Sequence, residues 1–278
     1  MTGGTDGGYM TKRLSIFIPA YNEEGNLEAT IRELWTSLER TPLADYEIII
    51  VNDGSTDRTQ AIAEELRRKD PKIRVINNKK NLGLAKTHRI GALAATFEYV
   101  GWIPGDNGFP AASLERWLAP LGHADIIQTY LLNSEVRYAG RRVISKAYTR
   151  AMNALFGLDL KYYNGIQIYR RELIQNIETF ADGFALLSEI LVKLLASGNT
   201  YIEVGINMTE RAQGESKAVK LQNILDVITT VIRLFCEIKI FHRKRYLSPA
   251  LNVEWPRPEQ PVGVQAAMST GGNKGERP

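Results

Sequence analysis

The chain has 278 residues, 44% hydrophobic and 24% charged, a globular balance that excludes wholesale disorder and fibrous repeats. Its 35 Lys and Arg against 31 Asp and Glu leave a net charge of +4, too mild to argue for a nucleic-acid partner. A single cysteine, Cys236, excludes an internal disulfide or a thiolate zinc site, and three scattered histidines (His88, His123, His242) suggest no metal cluster. No run of about 18 uncharged apolar residues reads as a membrane span, and the N-terminus lacks the basic-then-apolar pattern of a signal peptide. A soluble or peripheral protein of the cytoplasm is expected.

Residues 1–11 carry four glycines and are expected to form a disordered arm. From residue 12 onward, short β-rich runs alternate with helical patterns. Strands are predicted at Leu14–Ile18, Tyr46–Val51, Ile73–Ile76 and Tyr99–Ile103, with amphipathic helices near 24–40, 57–69 and 83–97. Near-continuous apolar strands separated by helices make an α/β fold with a mostly parallel sheet, flanked by helices on both faces. Ligands of such sheets bind beyond the carboxyl ends of the strands.

The loops at those ends are Pro19-Ala-Tyr-Asn-Glu-Glu24, Asn52-Asp-Gly-Ser-Thr-Asp57 and Pro104-Gly-Asp-Asn-Gly-Phe-Pro110. Asn, Asp, Gly and Pro are also turn and cap residues, and Asp57 is expected to cap the helix that follows it. Caps alone do not account for three acidic loops converging on one sheet edge. Neither the G-x-G-x-x-G of a dinucleotide fold nor a P-loop is present.

Further along, Arg137, Arg141, Arg142, Ser145, Lys146 and Arg150 crowd one segment. Arg137, Arg141 and Ser145 are four apart and on a helix would share a face. Arginine suits bidentate phosphate recognition and a hydroxyl adds one donor, whereas a basic helix facing water is the alternative. A helix is predicted over 221–246, where Ile224, Ile228, Val231, Phe235 and Ile238 form a stripe widened by Leu225, Ile232 and Phe241. Asp226, Arg233, Glu237 and Lys239 interrupt it, so it cannot span a bilayer. With His242-Arg-Lys-Arg245 following, it is either an interfacial helix on anionic lipid or a core or dimer-packing helix. Residues 247–278 hold five of the 11 prolines and are expected to be a disordered tail.

Pro19–Glu24, Val51–Asp57, Asn81-Leu-Gly83 with Arg89 and Gly91, and Gly105-Asp-Asn107 follow one another as in family 2 glycosyltransferases, which the chain resembles over residues 13–220. Glu203-Val204 and Arg211-Ala-Gln-Gly-Glu-Ser-Lys217 resemble the polyprenyl-phosphate sugar transferases, of the dolichyl-phosphate mannose synthase type. The resemblance implies a GT-A nucleotide-diphospho-sugar transferase domain over 12–220. It implies a nucleotide-sugar site of Pro19, Ala20, Tyr21, Glu23, Asp53, Gly54, Arg89, Gly105 and Asp106, with Tyr21 flat against the base and Asp53 accepting a ring N–H. Mg²⁺ or Mn²⁺ is implied on Asp106. The family places two aspartates there with one residue between them, and here the first is Pro104. Asn107 adds a neutral oxygen or is a turn residue.

Arg211 and Lys217 resemble the basic pair that closes over the diphosphate, with Gly214 and Ser216 suggesting a loop that orders on the donor. Arg137, Arg141 and Ser145 match positions that hold a lipid phosphate. Glu189, at the family's acidic position on a helix over 184–197, would be a base for an alcohol acceptor and an orienting group for a phosphate. Near Tyr163–Tyr169 the family has an Asp before the glycine. Here Lys161, Tyr162 and Asn164 stand nearby, and Asn164-Gly165 either turns into a strand or lines the sugar pocket. The implied activity is inverting, metal-dependent transfer of a sugar from a nucleoside-diphosphate donor to a polyprenyl phosphate, peripheral on the cytoplasmic face of the membrane. A soluble hydroxyl acceptor and a catalytically inactive nucleotide-binding module are the alternatives, and a homo-oligomer is open.

Overall fold

The computed structural model describes residues 12–183, 185–209, 221–246 and 248–256. Its elements run β1 (Arg13–Ala20), α1 (Leu27–Glu39), β2 (Asp45–Asn52), α2 (Thr59–Lys69), β3 (Ile73–Asn77), α3 (Leu84–Ala94), β4 (Tyr99–Trp102) and α4 (Ala111–Leu118). The second half holds β5 (Ile126–Leu131), α5 (Ala139–Phe156), β6 (Gln167–Arg170), α6 (Arg171–Asn176), α7 (Leu186–Ala196), β7 (Thr200–Ile206), α8 (Leu221–Phe235) and β8 (Leu251–Asn252).

One eight-stranded sheet has the order β3-β2-β1-β4-β6-β5-β7-β8. Every pairing is parallel except those of β6, which runs antiparallel to β4 and β5. Side chains alternate across the strands, so each face has its own core. Leu14, Ile16 and Ile18 of β1 join Leu27, Ile31 and Leu34 of α1, Ile62 and Leu66 of α2 and Leu114 and Trp117 of α4. Phe17 joins Ala85 and Ala92 of α3, Met152 and Phe156 of α5, and Ile190 and Leu194 of α7 on the opposite face. The four predicted strands and three predicted helices are all present, and the Asp57 carboxylate accepts the Thr59 N–H at 2.9 Å as a cap should.

The second core encloses a titratable ring. His88 is edge-on to Phe17 and Trp102, at centroid distances of 4.7 and 5.4 Å, and its Nε2 has no hydrogen-bond partner. Burial lowers its pKa from 6.5 to about 3. The unfolded chain therefore binds a proton that the folded chain refuses. Stability is complete above about pH 6.5 and falls by up to about 1.4 kcal/mol per pH unit as the pH drops toward the folded value. Urea denaturation from pH 7 to pH 4 should show a shallower acid loss in His88→Leu; matching curves would remove His88 as the cause.

Two expectations are corrected. The chain beyond 247 is not wholly tail: Leu251–Asn252 pair parallel with β7, Val253 N–H reaches Tyr201 O at 2.8 Å, and Val253 and Trp255 pack on the core. Leu251, Val253 and Trp255 alternate with strand periodicity, a pattern masked by the flanking prolines. Arg137 is not on α5. A 3₁₀ turn at Ser134–Val136 ends in an extended residue (φ −97°, ψ 141°) at Arg137, and the helix starts at Ala139.

The predicted helix over 221–246 is α8 followed by a π-helical turn at Cys236–Phe241 and a 3₁₀ turn at Arg243–Tyr246. Leu234 and Ile238 are buried in the same core as α5 and α7, while Leu225, Ile228, Ile232, Ile240 and Phe241 face outward. Both faces of that helix are thus accounted for: one packs internally and the other is bare.

Candidate active site

Three loops meet at the carboxyl ends of β1, β2 and β4. The loop after β1 turns at Asn22, whose φ of 57° is left-handed. It is laced to the loop after β2: Asn22 N–H donates to Ser55 Oγ (3.0 Å), Asn22 Oδ1 accepts Thr56 N–H (2.9 Å), and Glu23 N–H donates to Thr59 Oγ1 (2.7 Å). Asp53 N–H donates to Ala20 O at 2.8 Å. Gly54, at φ +66°, lies against the backbone of Lys80 and Asn81, and a Cβ there would stand 2.7 Å from Asn81 N, so only glycine fits.

Asp53 is buried, and its carboxylate accepts Asn78 Nδ2 (2.9 Å), Leu82 N–H (2.9 Å) and Gly83 N–H (3.0 Å). A carboxylate has about four acceptor positions. Three are spent on the loop that opens α3, which leaves roughly one for a ligand.

The loop after β4 is clamped from both sides. Gly105 N–H donates to Pro19 O (3.2 Å), and a Cβ on Gly105 would touch Ala20 Cβ at 3.3 Å. Thr30 of α1 donates its hydroxyl to Gly105 O (3.0 Å) and accepts Asn107 N–H (2.9 Å). Thr209, just past β7, donates its N–H to Gly108 O and its hydroxyl to Asn107 O, each at 3.0 Å. Pro19, Ala20, Tyr21, Glu23, Asp53, Gly54, Gly105 and Asp106 therefore share one edge, with the exit of β7 stitched to it. Arg211 follows two residues after Thr209 and, like Lys217, lies outside the described residues.

Asp106 is 7% exposed and accepts Gly108 N–H at 3.2 Å. Among the described residues no three His, Cys, Asp or Glu side chains gather as metal ligands. The donor set still suits Mg²⁺ or Mn²⁺: the buried carboxylate of Asp106 is followed in the chain by Asn107, whose Oδ1 is a buried amide oxygen with no hydrogen-bond partner. Such ions take one or two protein oxygens and complete their shell with substrate phosphates and water.

The segment expected to hold an acceptor phosphate follows β5, whose exit is tied to that of β7. Asn133 and Met208 exchange two hydrogen bonds, Asn133 Nδ2 to Met208 O at 2.8 Å and Met208 N–H to Asn133 Oδ1 at 2.9 Å. Arg137 Nη1 lies 3.2 Å from the Tyr162 hydroxyl. Arg141 and Ser145 are half-buried on one flank of α5, whereas Val143, Ile144, Lys146 and Arg150 are exposed. Glu203 holds the preceding turn by accepting Lys161 N–H at 2.8 Å. Burial pushes the Glu203 carboxyl up, with Lys161 working against it. Ser188 Oγ meets Asn164 Oδ1 at 3.3 Å, so Asn164 is tied to α7.

Of the two roles expected of Glu189, base or orienting group, its surroundings fit the second. It is fully buried, and its carboxylate accepts Phe180 N–H (3.0 Å) and Ala181 N–H (2.8 Å) and pairs with Lys193 Nζ at 2.9 Å. Lys193 Nζ also donates to Glu178 O and pairs with Glu237 Oε2, both at 2.9 Å. A carboxylate so occupied positions the 178–181 segment and cannot collect a proton from an acceptor. Arg89 is exposed on α3 with Nη1 3.4 Å from Thr179 Oγ1, at the seam of α3, α6 and α7 rather than among the strand-end loops. Thr30, Asn133, Thr209 and Lys193 were not singled out from the sequence. A Thr or Lys on the buried side of an otherwise apolar helix was the available signal for Thr30 and Lys193.

This architecture, with a mostly parallel sheet and metal-type and nucleotide-type side chains at one edge, is the GT-A glycosyltransferase fold. Mannosyl-3-phosphoglycerate synthase from Rubrobacter xylanophilus superposes with a TM-score of 0.62 at 16% identity, covering 84% of this chain and 75% of that one. Glucosyl-3-phosphoglycerate synthase from Mycobacterium tuberculosis, crystallised with Mn²⁺, UDP-glucose and phosphoglyceric acid, gives 0.59 at 18%, covering 81% and 80%. At those identities the likeness is one of fold. The chain belongs to glycosyl transferase family 2, whose model matches residues 15–178.

The glycosyltransferase EpsJ of Bacillus subtilis is 33% identical over 62% of this chain and 52% of its own length. The dolichol-phosphate mannosyltransferase of Pyrococcus furiosus is 30% identical over 80% of this chain and 63% of its own. The polyprenol monophosphomannose synthase of Mycolicibacterium smegmatis is 28% identical over 74% and 81%. The chain thus spans between half and two thirds of the length of the first two. No helix among the described residues is long and apolar enough to cross a membrane.

Proposed function

We propose that this chain transfers a sugar from a nucleoside-diphosphate sugar to the phosphate of a polyprenyl lipid, with inversion at the anomeric carbon. The observation that carries this reading is the sealing of Glu189, which leaves the family's acidic position without a free base. An alcohol acceptor must lose its proton during attack. A phosphate monoester, with a second pKa of about 6, arrives largely ionised and needs no base. Two relatives named for transfer to dolichol or polyprenol phosphate support the reading.

In this mechanism Arg141 and Ser145, from one flank of α5, and Arg137, from the turn before it, bind and orient the lipid phosphate. An acceptor oxygen forms the new bond to the anomeric carbon as the bond to the donor diphosphate breaks, and that electron pair leaves with the nucleoside diphosphate. Asp53 and Tyr21 hold the base, and Asp106 would hold a divalent cation. When bound there, such a cation would supply positive charge to offset the leaving diphosphate. Arg211 and Lys217 add positive charge over the same group. The bare outer faces of α5, of α8 and of the π-helical turn after it, apolar with Lys146, Arg150 and Lys239 among them, suit contact with the bilayer that carries the acceptor.

The test offers a panel of UDP- and GDP-sugars with undecaprenyl or dolichyl phosphate, or with the matching free alcohol. Sugar should move to the phosphate alone, and Arg141→Ala should raise the KM for lipid phosphate at least about tenfold more than that for donor. Transfer to a soluble hydroxyl in preference to the lipid phosphate would overturn the acceptor assignment.

A further inference from the structure

We propose that Asn107 is a second protein ligand of the divalent cation, in a loop where Pro104 stands at the position of the family's first aspartate; this rests on the metal-dependent reading above. Pro104 has no donor atom in its side chain, so the aspartate at 106 stands alone among the carboxylates of this loop. Asn107 has a φ of 53°, one of two positive-φ non-glycine residues among the described residues; the other is Asn22. Asparagine tolerates that region and usually earns its place by bonding nearby backbone. Asn22 does so, through Oδ1 to Thr56 N–H at 2.9 Å.

Asn107 does not. Its main chain is already held by Thr30 at the N–H (2.9 Å) and by Thr209 at the carbonyl (3.0 Å). The local N–H of Gly108 goes to Asp106 rather than to Asn107. The carboxamide oxygen is left buried with no hydrogen bond. A buried acceptor without a partner is costly, and a hard cation is a partner that an amide oxygen one residue along the chain from a carboxylate would serve. Gly108 keeps the approach clear: a Cβ there would stand 3.0 Å from Asp106 Oδ1.

One charged and one neutral oxygen offset less of the cation's charge than two carboxylates would. The free protein should therefore bind Mn²⁺ weakly, and the diphosphate of the nucleotide should supply most of the affinity. Mn²⁺ titration of the full chain by electron paramagnetic resonance, alone and with GDP or UDP, tests this without turnover. Asn107→Gly retains the positive φ and removes only the carboxamide, so its Mn²⁺ affinity with nucleotide should fall at least about tenfold. Asn107→Asp, of the same shape, should bind Mn²⁺ more tightly than wild type without nucleotide. Wild-type affinity in both variants would overturn the assignment. If Asp106→Ala loses Mn²⁺ while both Asn107 variants keep it, only the Asn107 role fails; if Asp106→Ala also keeps it, the metal site itself is wrong.

Discussion

Asp106→Ala is expected to lower turnover by about three orders of magnitude with little change in stability. Removing one preorganised electrostatic contact to a developing charge costs 10²–10³-fold in kcat in well-studied cases, and here the lost carboxylate also takes the cation with it. Stability should be spared because the loop is held by its backbone. Gly105, Asn107 and Gly108 are bonded to Pro19, Thr30 and Thr209 through main-chain atoms, and none of those bonds uses the Asp106 side chain. Initial rates of nucleoside-diphosphate release at saturating donor, beside a thermal melt, check both halves. A variant that melts normally and retains activity would remove Asp106 from the chemistry.

Lys193→Met is expected to act the other way, costing about 3–5 kcal/mol of stability, because it strands a buried charge. Glu189 would keep its bonds to Phe180 and Ala181 but lose its counter-ion in a site without solvent. Glu237 would lose its link to α7 at the same time. The companion change Glu189→Gln should recover part of the loss in the double variant, since it removes the stranded charge. Denaturant unfolding of both single variants and the double measures the coupling. Additive losses would mean that the two residues do not act together.

The first half of the fold was legible because each strand there is a continuous apolar run and each helix has an apolar stripe. The strand-end loops were legible by residue type, whereas the roles given to Asp53, Gly54 and Asp106 within them came from the resemblance to family 2 glycosyltransferases. What was not legible depended on distant partners. β6 has four residues and is held between β4 and β5, and β8 has two and exists only because β7 offers an edge. Glu189 was expected to be available because the resemblance put it at the family's acidic position. The sequence Leu186-Leu-Ser-Glu-Ile-Leu-Val-Lys-Leu-Leu-Ala196 argues otherwise, since a helix apolar on every side is buried and its charges must be paired internally. Arg137 was misplaced for a local reason, a turn and an extended residue that no apolar period announces.

The ion-pair chain from Glu189 through Lys193 to Glu237 also limits how the molecule can be divided. The family-matching stretch ends at residue 178, before α7, and the resemblance to lipid-phosphate transferases ends near 220. A fragment cut at either point would lack Glu237, Leu234 and Ile238. One cut at 220 would leave Lys193 half-paired beside an opened apolar seam. The segment that looks like an appendage is a wall of the house, so the packed unit takes in α8 and the turn after it rather than stopping where the recognisable motifs do.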